Sequence, residues 1–200
     1  MNRRLHGAVV VAAAALLLFA GRARAQEQSA FPRRDFSATS VVSMPGGRQM
    51  STKIYVSGNK FRTDMPSGNM HTILLLDEQK IYMVMPQMCM EMPQRAPNPF
   101  GFKGKVERER LGTATVDGHP TIIERITVTP AGGGKPTVMK AWEATDLKDF
   151  PVRVEIPTAK GAETIEYKDV VLATPAASLF AVPTNCREMP MGPGAMMPHR

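Results

Sequence analysis

From residue 36 to residue 171 apolar and polar positions alternate with a period of two. No stretch in this range sustains the 3.6-residue period of a helix. The clearest case is 73–93, ILLLDEQKIYMVMPQMCMEMP. An apolar strand, the polar turn Asp77-Glu78-Gln79-Lys80 and the strand Ile81-Tyr82-Met83-Val84-Met85 predict a β-hairpin. Upstream, strands are expected over 36–42, 48–57 and 60–65, separated by Pro45-Gly46-Gly47 and Gly58-Asn59. Gly and Asn supply the positive φ angles of tight hairpin turns. Downstream, 106–116 and 120–129 flank Asp117-Gly118, a strong hairpin signal. Strands follow over 137–145, 152–157 and 162–171, the last two around Lys160-Gly161. Asp146 to Pro151 reads as a turn or one helical turn, and Thr174 to Phe180 as a short helix or 3-10 turn. Short strands joined in sequence by short turns predict a mainly β fold: one antiparallel meander curled into a barrel or half-barrel, with little helix.

Residues 86–105 break the rhythm with Pro86, Pro93, Pro97, Pro99, Gly101 and Gly104. They read as a loop of about 20 residues, longer than a compact domain tolerates without a purpose. A lid over a binding face is the expected role.

The first 25 residues change the compartment. Arg3 and Arg4 precede an apolar run from Ala8 to Ala20, and Ala23-Arg24-Ala25 follows. That is a signal peptide with an A-x-A cleavage site. The run falls short of the ~20 residues a membrane span needs. Its removal takes away four arginines and no acid. The 25 basic and 18 acidic residues of the whole chain become 21 and 18, a net charge of +3 rather than +7. So small and scattered a surplus, without basic residues interleaved with aromatics, excludes nucleic acid as a partner. The expected organisation is a cleaved leader (1–25), a loose N-terminus (26–34), one β domain (35–187) and a Met-, Pro- and Gly-rich tail without fixed structure (188–200). The mature protein is expected to be soluble, monomeric and periplasmic.

Cys89 and Cys186 are the only cysteines. In an exported protein such a pair is most simply a disulfide.

Several motifs keep a fixed order. Lys53-Ile54-Tyr55-Val56-x-Gly58-x-Lys60-x-Arg62 is followed by Asp77 and by Ile81-Tyr82 leading to Pro86. Then come Leu111-Gly112-x-x-x-Val116-x-Gly118-His119-Pro120, Trp142-Glu143-Ala144 and Phe150-Pro151-Val152. Tyr167-Lys168-Asp169-Val170 and Ser178-Leu179-Phe180-x-Val182-Pro183 end the series. This order, over roughly 36–186, resembles an exported bacterial family of unassigned function. That family is similar in turn to the LolA/LppX-like outer-membrane lipoprotein-carrier fold. The resemblance implies a strongly curved antiparallel sheet whose concave apolar face can hold acyl chains, and it carries over no catalytic residue. LolA-type carriers plug the open mouth with helices, and this sequence shows none there. The resemblance therefore implies the sheet rather than the carrier activity.

Three sets of residues remain. Ile54, Val56, Leu74, Leu76, Tyr82, Val84 and Trp142 sit at strand spacing and are the expected ligand-binding face, unless they fill an ordinary closed core. Fifteen methionines are unusual for a chain of this length. Met83 and Met85 read as core filling, where Met adapts to gaps. Met88, Met90 and Met92 near Cys89, with Met189, Met191, Met196, Met197 and His199 in the tail, form an alternative set. Soft thioethers with an imidazole suit Cu(I), and a Cys89–Cys186 bond would tie the two clusters together. Finally, Ser57-x-x-Lys60 lies in a hairpin turn and lacks the partner motifs of its catalytic namesake. His71 and His119 have no partner that spacing identifies.

The sequence thus predicts a non-enzymatic envelope protein that binds a lipid or lipidated protein, without a cofactor and with transient membrane contact. A copper-binding protein and a structural module are the alternatives.

Overall fold

The structure is a computed structural model that describes residues 28–93 and 103–189. The leader and four of the tail residues named above, Met191, Met196, Met197 and His199, lie outside the described residues. So does the middle of the expected 86–105 lid.

Thirteen strands form one sheet. In chain order they are β1 (Gln28–Ser29), β2 (Phe36–Ser43), β3 (Gln49–Ser57), β4 (Lys60–Asp64), β5 (His71–Leu75), β6 (Lys80–Met85), β7 (Met88–Pro93), β8 (Lys103–Val116), β9 (His119–Thr129), β10 (Thr137–Ala144), β11 (Phe150–Thr158), β12 (Gly161–Val171) and β13 (Arg187–Glu188). The order across the sheet is β1-β8-β9-β10-β11-β12-β2-β3-β4-β5-β6-β7-β13. Two meanders, β2 to β7 and β8 to β12, are therefore joined side by side where β12 pairs with β2. Every neighbouring pair is antiparallel except β13, which runs parallel to β7. The sheet curves but does not close. Two 3-10 turns, Thr145–Leu147 and Ala177–Phe180, are the helical elements among the described residues.

The turns follow from residue chemistry. Asp117 (φ 51°) and Gly118 (φ 85°) occupy the left-handed region between β8 and β9, as a two-residue hairpin loop requires. Two expectations need correction. The chain is not a loop from 86 to 93: Pro86-Gln87 is a two-residue turn, and β7 pairs along its whole length with β6. Nor is 28–34 loose. Gln28 and Ser29 pair with Gly104 and Lys103 of β8, and Ala30 is fully buried.

Three apolar clusters hold the sheet together. The first joins Phe36, Ile54, Val56, Phe61, Trp142, Phe150 and Val152, with Leu74 and Leu76 against it. The second gathers Ile126, Val128, Met139, Ala141 and Val154 under Ala30 and Phe31. The third, Ile73, Leu75, Tyr82, Val84 and Cys89, is covered by Val182 and Cys186. Cys89 and Cys186 are bonded, with Cα atoms 4.3 Å apart.

Candidate functional site

Strand alternation sorts the expected ligand-binding residues onto two faces. Val56 pairs with Phe61, and Phe61 with Leu74. Ile54, Val56 and Leu74 therefore share one face, and Leu76 and Trp142 belong to the same cluster. Tyr82 pairs with Ile73, one position out of step with Leu74. Tyr82 and Val84 thus point to the opposite face, beneath the C-terminal segment. The seven residues do not line one surface. Trp142 is 7% exposed, with the Lys140 ammonium 4.5 Å and the Arg153 guanidinium 5.4 Å from its ring centre. Those cations cap the indole.

A different set forms an apolar cleft. Phe31 and Pro32 lie across β2, β11 and β12, over Phe36, Phe150, Ile165 and Tyr167. The Phe36 and Phe150 ring centres are 4.8 Å apart at 68°, and Phe150 and Tyr167 are 5.6 Å apart at 70°. These are edge-to-face contacts, the preferred arrangement of aromatic quadrupoles. Burial pushes the Tyr167 hydroxyl up to about 12, so it stays protonated and neutral. The enclosed space is about 60 Å³, which is shallow.

Arg34 is the one charged residue lining this cleft. One Nη donates to the Lys148 carbonyl oxygen at 2.6 Å. Its Nε is buried without a hydrogen-bond partner, and no carboxylate among the described residues pairs with it. An unsatisfied buried donor costs about 1–3 kcal/mol. Sequence reasoning missed this site because Phe31 and Arg34 fall in a segment with no element of its own.

A polar knot lies on β8, β9 and β10. An Arg108 Nη donates to both Glu143 oxygens at 3.0 and 3.1 Å, and Arg108 also bonds Glu124 and the Ala30 carbonyl. Burial raises the Glu143 pKa, opposed by the Arg108 hydrogen bonds. The knot fastens the 28–34 segment to the sheet.

The catalytic motifs have structural partners. Ser57 and Lys60 face each other across a hairpin turn, and the Ser57 hydroxyl donates to Asp35. His119 Nδ1 lies 2.8 Å from Asp146 Oδ2, a carboxylate partner that spacing did not identify. Among the described residues no hydrogen bond joins its other ring nitrogen to a hydroxyl or thiol. No group of three His, Cys, Asp or Glu among them is placed to hold a metal ion.

The methionines are ordered by register. Met85 pairs with Met88, Met83 with Met90, and Ile81 with Met92. All five methionines occupy the face of β6–β7 opposite Tyr82, Val84 and Cys89. The disulfide therefore lies on the other side of the strand from Met88, Met90 and Met92. It does hold β13 against β7, and the Met189 N–H donates to the Glu91 carbonyl at 3.0 Å.

No protein-family model and no curated protein matches the chain by sequence. Among solved structures the chain is similar to the Mycobacterium tuberculosis lipoprotein LppX, at 14% identity and TM-score 0.42, over 67% of this chain and 85% of that one. It is similar to LprF from Mycobacterium bovis, at 15% identity and TM-score 0.42, over 71% and 90% of the two chains. A LolA superfamily protein from Nitrosomonas europaea is similar at 12% identity and TM-score 0.38, over 76% and 92%.

Proposed function

We propose that this protein is a non-enzymatic binding protein of the cell envelope, and that its ligand is an amphiphile: a lipid, or the acyl chain of a lipidated protein. The observation that carries this reading is the aromatic cleft with one uncompensated guanidinium beside it. Apolar walls with a few placed polar groups are the usual make-up of a small-molecule site. Arg34 Nε offers a donor that the protein leaves unpaired, which suits an acidic headgroup.

The cleft is too small for an acyl chain while Phe31 and Pro32 rest on it. Binding therefore lifts this segment and replaces its side chains with the ligand. Full burial of a Phe side chain is worth about 1.5–3 kcal/mol, and each buried methylene about 0.8 kcal/mol. Three or four methylenes offset the loss of Phe31 from the cleft. A longer chain gains the surplus by extending along the neighbouring apolar positions of β2 and β12.

The test is fluorescence titration with cis-parinaric acid, a polyunsaturated fatty acid, and with its methyl ester. Saturable binding is expected. F31A should tighten both probes by vacating the cleft, and R34Q should weaken the acid more than the ester. Native mass spectrometry of protein purified from periplasm should show a co-purifying lipid mass. If neither the native protein nor F31A binds either probe, the reading fails.

A further inference from the structure

We infer that the outer hairpin β6–β7 carries a site for a soft monovalent metal ion, Cu(I), built from the thioethers of Met83, Met85, Met88 and Met90. The juxtaposition is set by backbone register and does not depend on the tail. Met85 opposes Met88 and Met83 opposes Met90 on adjacent antiparallel strands. Directly opposed residues have Cβ atoms about 4.5–5.5 Å apart. The two pairs are successive on one face, so the four side chains stand at the corners of a small quadrilateral.

Composition on the two faces of the hairpin argues that the choice is chemical. On one face the same strands place Tyr82 and Val84, aromatic and β-branched types that strands favour, with Cys89 in a buried cluster. On the other face, five of the six positions between Ile81 and Met92 are methionine. Met83, Met85 and Met90 are partly exposed, and Met88 is 47% exposed. Core filling needs burial, and Met88 is exposed while the other three are only partly buried. Methionine has three rotatable bonds and a polarisable sulfur, so several can converge on one ion without backbone movement.

The ligand set selects the ion. Thioethers are soft and favour Cu(I) over the harder divalent ions. They are also neutral and leave the charge of the ion uncompensated, which favours a single positive charge. Arg187 pairs with Met90 and brings a cation to that edge. The Met85–Met88 row is the farther from it and is the stronger half of the site. Met70 precedes His71, which pairs with Val84, and so falls at the register of Met85 one step beyond the β5–β6 ladder.

The experiment is anaerobic competition for Cu(I) between the purified protein and bicinchoninate. Ascorbate serves as reductant, so that the disulfide stays intact. One equivalent should be withdrawn. M85L/M88L should weaken binding by at least 100-fold and M83L/M90L by at least tenfold. Changing Met191, Met196 and Met197 together to leucine should leave it within twofold. Leucine keeps the apolar volume, and a thermal melt checks that each variant is folded. On the native protein, Ag(I) should shift the ε-methyl NMR signals of these four methionines first. No withdrawal of Cu(I), retention in M85L/M88L, or loss only in the tail variant would each overturn the assignment.

Discussion

The Asp35 carboxylate accepts a 2.8 Å hydrogen bond from the backbone N–H of Gly58. It also accepts from the Thr174 hydroxyl at 2.8 Å and the Ser57 hydroxyl at 3.4 Å. One carboxylate thus joins the entry to β2, the β3–β4 turn and the segment after β12. These bonds, the Gly58 N–H foremost, hold its pKa below the usual aspartate value. A lowered folded pKa gives stability that is present above the unfolded pKa and lost as pH falls through the folded one. D35A should cost about 1 kcal/mol at pH 7, discounted for solvent exposure. Urea melts of the native and variant proteins should converge as pH falls through the lowered Asp35 pKa, below which both lack the charge.

The Arg108–Glu143 pair should be costly to break from one side. Glu143 is 8% exposed, and R108M leaves its carboxylate buried without a counter-ion. The expected loss is about 3 kcal/mol. Burial already raises the Glu143 pKa, and in R108M nothing opposes that rise. Stability of the variant should therefore fall as pH climbs above the ordinary glutamate value, since folding must then bury a charge. R108M/E143Q should recover part of the loss and flatten that pH dependence. Chemical denaturation between pH 4 and 8 reads both effects.

Gly104 admits no side chain. A Cβ there would sit 2.1 Å from the Thr129 carbonyl oxygen, a backbone atom that cannot swing away. G104A should destabilise the protein by about 2 kcal/mol and loosen β1, which pairs at that residue. Hydrogen exchange should show the 28–30 amides losing protection before those of β9 and β10.

The Cys89–Cys186 bond closes a loop of 97 residues. In the chain-entropy model this contributes about 4–5 kcal/mol. Reduction should lower Tm by roughly 10 °C for a domain of this size. It should also release Val182 from the third cluster and the strand Arg187–Glu188 from β7, opening the segment after Pro183 to proteolysis.

Turn chemistry was the most legible level of the sequence. Gly58-Asn59 and Asp117-Gly118 sit where a hairpin turns, and Lys160-Gly161 falls one position late, with Gly161 opening β12; positive φ at Gly58, Asp117, Gly118 and Gly161 is a local demand met by local residues. β7 was illegible for the same reason: Pro86-Gln87 carries none of the Gly or Asn that announces a two-residue turn. Gln28–Ser29 could not be read as a strand because its partner, Gly104, lies 76 positions away. The two faces of β5–β6 were mixed because period two shows that Leu74 and Tyr82 alternate with their neighbours. Whether they share a face depends on register, which is set between strands.

The long strand β8 has one more consequence. β1 covers it only at Lys103 and Gly104. Among the described residues no strand lies on its outer side from 105 to 116. Over these twelve residues about every second one turns its backbone N–H and C=O outward, an invitation to growth by a second chain. The sequence there is Lys105-Val106-Glu107-Arg108-Glu109-Arg110. Alternation puts Glu107 and Glu109 on one face and Arg108 and Arg110 on the other. A copy docking along this edge would have to desolvate the exposed charges of Glu107 and Glu109 on one face and Arg110 on the other. The ionic ladder thereby works as a guard against fibrillar self-templating along this long margin of the open sheet.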